Sequence, residues 1–101
     1  MAAAALTPTI VQKTYIPSIG KTGAPMRLVK YTFKVTKITI ADWIVTATYF
    51  QAGTPVMYNA QTTDSSSDGV QEILTYTNTG TKLTLTHANV GTTYGEVVYT
   101  E

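Results

Sequence analysis

Arg27-Leu28-Val29-Lys30-Tyr31-Thr32-Phe33-Lys34-Val35-Thr36-Lys37 is the stretch whose reading decides the fold. Val29, Tyr31, Phe33 and Val35 share one parity; Lys30, Thr32, Lys34 and Thr36 share the other. Successive side chains of a strand point to opposite faces, so this alternation predicts a strand with an apolar face and a basic, polar face. The regular run extends to Ala41, but its parity flips, because Ile38 and Ile40 stand where polar residues are due. A β-bulge near Thr36-Lys37, or a strand crossing from one sheet to another, would reset the faces.

Working outward, residues 43–50 (Trp-Ile-Val-Thr-Ala-Thr-Tyr-Phe) are largely apolar on both parities. That predicts a central strand covered on both sides. Gly53-Thr54-Pro55 makes a turn, and 56–62 is a further strand with Val56, Tyr58 and Ala60 on one face. Asp64-Ser65-Ser66-Ser67-Asp68-Gly69 reads as a loop. Residues 70–77, 82–87 and 94–100 read as three more strands, punctuated by Asn78-Thr79-Gly80 and Asn89-Val90-Gly91. Upstream, 9–16 is a first extended segment, and Pro17, Gly20, Gly23 and Pro25 mark a loop. About seven strands at roughly ten-residue spacing, with no helical period, predict an all-β single domain, a β-sandwich or small β-barrel. Residues 1–16 divide off as an N-terminal arm with the first extended segment, and 17–101 form the body.

The chain has 101 residues, enough to bury a core without covalent staples. Charged residues make up only 13%, about half the ordinary share. Threonine and seven tyrosines fill the difference, and both suit strands. A polar but uncharged sheet face costs little to desolvate, which suits contact with another protein. There is no cysteine, which excludes disulfides, thiolate chemistry and cysteine-based zinc sites. The start, Met1-Ala2-Ala3-Ala4-Ala5-Leu6, lacks the basic region and apolar core of a secretory signal. No apolar run approaches a membrane-spanning length, so no membrane partner is expected.

Charge divides unevenly. Lys13, Lys21, Arg27, Lys30, Lys34 and Lys37 precede residue 42 with no acid among them. After it come Lys82 and the acids Asp42, Asp64, Asp68, Glu72, Glu96 and Glu101. Either this asymmetry serves an interaction, or interleaved strands mix the charges in the fold.

No motif carries catalysis. Gly20-Lys21-Thr22 resembles the end of a phosphate-binding loop, but Tyr15 stands where its first glycine belongs. Asp64, Ser66, Asp68 and Gly69 match the opening of a calcium loop, but Thr75 replaces the closing glutamate, leaving Glu72 as an alternative oxygen. His87, the one histidine, has no nucleophile motif to serve and reads as a partly exposed strand end. Asp42 sits between two apolar strands, and its simplest role is hydrogen bonding within its own turn or bulge. Lys30 and Lys34, with Lys37 beyond them near the parity flip, could track phosphates, but Tyr31 and Phe33 point to the face opposite Lys30 and Lys34, which argues against single-stranded nucleic acid. An enzyme, a metal and a cofactor are therefore not expected.

The C-terminal two-thirds resembles small β-rich virion proteins of tailed viruses, of the capsid decoration or cement type. The likeness lies in Ala41-Asp42-Trp43-Ile44-Val45, the Thr-rich stretch 62–69, Glu72-Ile73-Leu74-Thr75-Tyr76, Lys82-Leu83-Thr84-Leu85-Thr86 and Gly95-Glu96-Val97-Val98-Tyr99. It implies a β-sandwich or barrel on a virion's capsid surface, binding neighbouring capsid subunits and associating with its own copies. On that expectation Lys13, Lys30, Lys34 and Lys37 steer docking toward an acidic neighbour, residues 2–16 supply an arm that orders on binding, and strand edges pair between chains. The alternative is a carbohydrate-binding or adhesin-type β-sandwich that uses Trp43 and tyrosines such as Tyr58 and Tyr76 as a platform.

Overall fold

The computed structural model describes residues 2–19, 25–64 and 67–100. Among these, eight strands form two antiparallel sheets, β1 Thr9–Ile19, β2 Pro25–Lys37, β3 Asp42–Val45, β4 Met57–Asp64, β5 Ser67–Gln71, β6 Leu74–Thr77, β7 Lys82–Leu85 and β8 Gly91–Thr100, with one helical turn, α1 Thr46–Tyr49. The larger sheet has the order β1-β2-β8-β4-β5 and the smaller β3-β7-β6. The chain is an all-β domain with the layering of a sandwich. No helix among the described residues is long and apolar enough to cross a membrane.

The alternation in β2 places Val29, Tyr31, Phe33 and Val35 on the inner face, all buried. They meet Ala60, Val97 and Tyr99 of the same sheet, and Ile44, Leu83 and Leu85 of the facing sheet. Gly95 makes this packing possible. A Cβ there would lie 2.6 Å from Phe33 Cζ and 2.7 Å from the Asn59 carbonyl oxygen, closer than atoms can approach.

Several sequence expectations are corrected. The parity flip after Lys37 is not a bulge. The β2–β8 register runs unbroken from Leu28↔Thr100 to Lys37↔Gly91, and the strand then ends. Ile38 and Ile40 are exposed because they belong to the crossing turn between the sheets, not to a strand. Bulges occur instead in β1 between Ile10 and Gln12, and in β4 between Thr62 and Asp64. The predicted central strand 43–50 is an edge strand that stops at Val45. The Thr46 amide and hydroxyl both turn to the Thr81 carbonyl, at 2.8 and 3.1 Å. The following helical turn swings Phe50 to 5.5 Å from both the Tyr31 and Phe33 rings. Burial of that ring outweighs the strand preference of the local sequence. Residues 70–77 are two strands, β5 and β6, in different sheets. Pro17 lies within β1, and an edge strand accommodates a proline because one side of its backbone needs no ladder partner.

The N-terminal segment is not a free arm. Ala5 bridges Trp43, Leu6 is buried in the core, and β1 pairs with β2 along its length. The hairpin of β1 and β2 extends beyond the end of β8 at Pro25, Met26 and Arg27, which contributes to an elongated outline of 49 × 30 × 20 Å.

Candidate functional site

Two of the crossings between sheets, β2 to β3 and β7 to β8, leave or join the larger sheet at the end opposite the β1–β2 tip, and a third, β5 to β6, is tied to them through the Glu72 side chain. A crossing segment leaves the ladder, so its amides need other acceptors. Two buried carboxylates supply them. Asp42 Oδ2 accepts from the Ile38 and Thr39 amides at 2.9 and 2.7 Å, and Oδ1 from the Ala4 amide at 2.9 Å. Asp42 therefore holds its own turn, as its position suggested. Glu72 Oε1 accepts from the His87 amide at 2.7 Å and the Ile73 amide at 3.2 Å. Its Oε2 accepts from Lys37 Nζ at 2.9 Å and the Thr62 hydroxyl at 2.7 Å. Thr93 lies 2.9 Å from Thr62 and completes the buried chain. Lys37 Nζ also donates to the His87 carbonyl.

Burial pushes the Glu72 carboxyl up, but the bonds from Thr62, Lys37 and the His87 amide outweigh it and hold the group below its ordinary value. The same balance acts at Asp42. Desolvation raises its carboxyl, and the amides of Ala4, Thr39 and Ile38 with the Lys37 charge bring it down. Both groups stay ionised inside the protein and fasten loops.

Those loops carry aliphatic side chains in water. Ile38 is 59% exposed, Ile40 50%, Ile73 56% and Val90 40%. Lys37↔Gly91 is the last pair of the β2–β8 register, so Ile38 and Val90 each adjoin that end of the ladder, and the bonds from Glu72 to Lys37 and His87 tie the turn carrying Ile73 to the same loops. Isolated exposed aliphatics are ordinary, but four on loops fastened by the same two buried carboxylates offer a candidate contact surface. Sequence reasoning missed it. Ile38 and Ile40 were visible as a parity error, but which loops share an end depends on topology.

The four lysines expected to steer docking do not form one surface. Lys37 is buried against Glu72 and is withdrawn from that role. Lys30 and Lys34 lie on the outer face of the larger sheet, Lys30 at 3.0 Å from Glu96 and Lys34 at 5.8 Å from the Tyr94 ring centre. Lys13 pairs in register with Tyr31, on the other face of the sheet margin, over Tyr15 and Tyr31 at 5.2 and 5.4 Å. Among the described residues, Lys30–Glu96 and Lys37–Glu72 each join the basic and acidic halves of the sequence, so the halves mix in the fold.

Trp43 has Lys82 Nζ over its ring at 4.4 Å, and Tyr58 and Tyr76 pack half-buried on the core, so these rings form no common platform. His87 is half-buried just beyond β7. Its Nδ1 accepts from the Asn89 amide at 3.1 Å. The phosphate-loop-like Gly20-Lys21-Thr22 lies outside the described residues, as does Ser66 of the calcium-like segment. The alternative oxygen for that segment, Glu72, is committed to Lys37 and Thr62. Among the described residues no three His, Asp or Glu side chains gather as a metal site.

Comparison with protein-family models, with curated proteins and with solved structures finds no match for this chain.

Proposed function

We propose that this chain is a structural assembly protein that contacts neighbouring protein subunits, its own copies included, through the loop end of the sandwich. The patch of Ile38, Ile40, Ile73 and Val90 carries this reading. Docking is opposed by the ordering of interface loops. Here that cost is already met within the fold, because Asp42 and Glu72 fix the backbone beneath the patch. Covering exposed aliphatic area then contributes a net gain. Sheet edges are poor candidates for the same task. β1 carries a bulge, Lys13 and Pro17, which are devices that discourage edge pairing, and β3, β5 and β6 are short. The resemblance to capsid decoration proteins gives the proposal its specific form, a virion component seated on capsid subunits.

The test is the mass of the purified protein by light scattering over a range of concentrations, beside the double variant Ile38→Asp, Ile73→Asp. Both positions are exposed, so the variant keeps its core. Concentration-dependent association of the parent and a monomeric variant are expected. A parent that stays monomeric at millimolar concentration, or a variant that associates equally well, overturns the assignment of this end as an assembly surface.

A further inference from the structure

The outer face of the larger sheet holds a depression that the assembly reading does not use. Register fixes its composition. Thr32 of β2 lies beside Glu96 of β8, which lies beside Asn59 of β4. One step along, Lys34, Tyr94, Gln61 and Gln71 stand in a second row across four strands. Thr32, Asn59, Gln61, Gln71, Tyr94 and Glu96 line an open cavity of about 310 Å³. That volume is at the small end of the range for ligand sites, and its lining is unusually polar for one.

The chemistry of the lining is specific. Asn59 and Gln61 are exposed and make no hydrogen bond to the protein among the described residues, so both amides are free to donate and accept. Gln71 donates to the Ala60 carbonyl at 3.2 Å, which orients its amide and leaves its oxygen as an acceptor. Thr32 adds a hydroxyl. Glu96 accepts strongly, yet its charge is balanced by Lys30 at 3.0 Å. Tyr94, 51% exposed, brings a ring and a hydroxyl to the rim, with Lys34 over one face of the ring.

We infer that this depression binds a neutral polyhydroxylated ligand, a saccharide. Each alternative class lacks a feature it needs. An anionic ligand would meet Glu96, the one charged side chain of the lining, and a cationic ligand would have to displace Lys30, which already holds that carboxylate at 3.0 Å. An apolar ligand would find no aliphatic wall. A nucleic acid strand would need several stacking rings beside the cations, and only Tyr94 is present. A sugar offers paired donor–acceptor hydroxyls to amides and a carboxylate, and C–H faces to one aromatic ring. The amides and hydroxyls of this sheet lose little on desolvation compared with ionised groups. The site is distinct from the loop end and does not depend on it.

The test uses amide correlation spectra of isotope-labelled protein titrated with neutral tetrasaccharides of glucose, mannose and N-acetylglucosamine in turn. Shifts for at least one sugar, confined to Thr32, Asn59, Gln61, Gln71 and residues 94–96, are expected at millimolar concentration. Tyr94→Ala and Gln61→Ala should each weaken binding about tenfold, the effect of one lost contact. Both positions are exposed, and preserved spectral dispersion confirms that the variants fold. The Ile38→Asp, Ile73→Asp variant should bind the sugar unchanged, which separates this site from the assembly surface. Absence of shifts with every sugar overturns the inference. Shifts centred elsewhere do the same, as does binding confined to a sulfated oligosaccharide.

Discussion

Glu72 and Lys37 are the residues whose sequence neighbourhoods mislead most. Lys37 closes a run of exposed-looking lysines, and Glu72 precedes an apolar strand, yet the two meet at 2.9 Å with both side chains fully buried. Removing one partner of a buried pair strands the other. Lys37→Met and Glu72→Gln are each expected to cost about 3–5 kcal/mol in urea unfolding. The double variant should cost less than the sum by about 2 kcal/mol, because neither charge is then left alone. Acid acts on the same group. The folded carboxyls of Glu72 and Asp42 lie below their ordinary values of 4.5 and 3.8, so the unfolded chain takes up protons first. Their contribution is complete above those ordinary values and is lost as pH falls through the folded ones. The urea midpoint should therefore hold steady from neutral pH and drop below about 4.5, with a smaller drop in Glu72→Gln. Tyr99 is the opposite case. Its hydroxyl is buried with no partner at full hydrogen-bond geometry among the described residues, and burial, offset only in part by the Thr46 side chain, pushes the phenol up to about 12. Tyr99→Phe removes an unsatisfied polar group and should leave stability equal or raise it by about 1 kcal/mol. A clear loss of stability would show that the hydroxyl has a partner after all.

At the scale of elements, β2 was legible because half-burial writes itself as period two, and that period survives in Val29 to Val35. Its neighbours were less legible. Trp43 to Phe50 has strand composition throughout, but the turn at Thr46 is set by the Thr81 carbonyl, a contact from far along the chain. Likewise the apolar loop end depended on which crossings share an end, a property no local pattern carries. Of the four expected docking lysines, surface placement could be read for those on the polar parity, Lys30 and Lys34, whereas Lys37 sits on the apolar one. Edge protection, by contrast, is readable once β1 is known to be an edge. Lys13 and Pro17 interrupt a strand that also exposes Ile10, Val11 and Ile16. The double variant Lys13→Val, Pro17→Val should keep the native near-ultraviolet spectrum yet aggregate faster on mild heating, with gain of cross-β dye binding. Equal aggregation of parent and variant would mean that the bulge alone guards this edge.

For the whole molecule, the proposed association has two candidate surfaces, and salt separates them. If lysines steered assembly toward acidic partners, added sodium chloride would weaken it by screening. Mixing of the halves makes this the smaller effect between copies. Lys30 and Lys37 are already paired within the chain, and Asp42, Glu72 and Glu96 are engaged internally. What the proposed contact between two copies would bury at the loop end is aliphatic area, and such burial is strengthened by excluded salts such as sulfate. Light scattering of the parent protein should therefore show association that sodium sulfate promotes and sodium chloride scarcely weakens. Lys13→Ser, Lys34→Ser should leave it nearly unchanged, while Ile38→Asp, Ile73→Asp abolishes it. Dissociation by modest sodium chloride, reproduced by the lysine variant, would move the contact from the loop end to the basic side chains of β1 and β2. The buried Asp42 and Glu72 would then be fastening loops for stability alone.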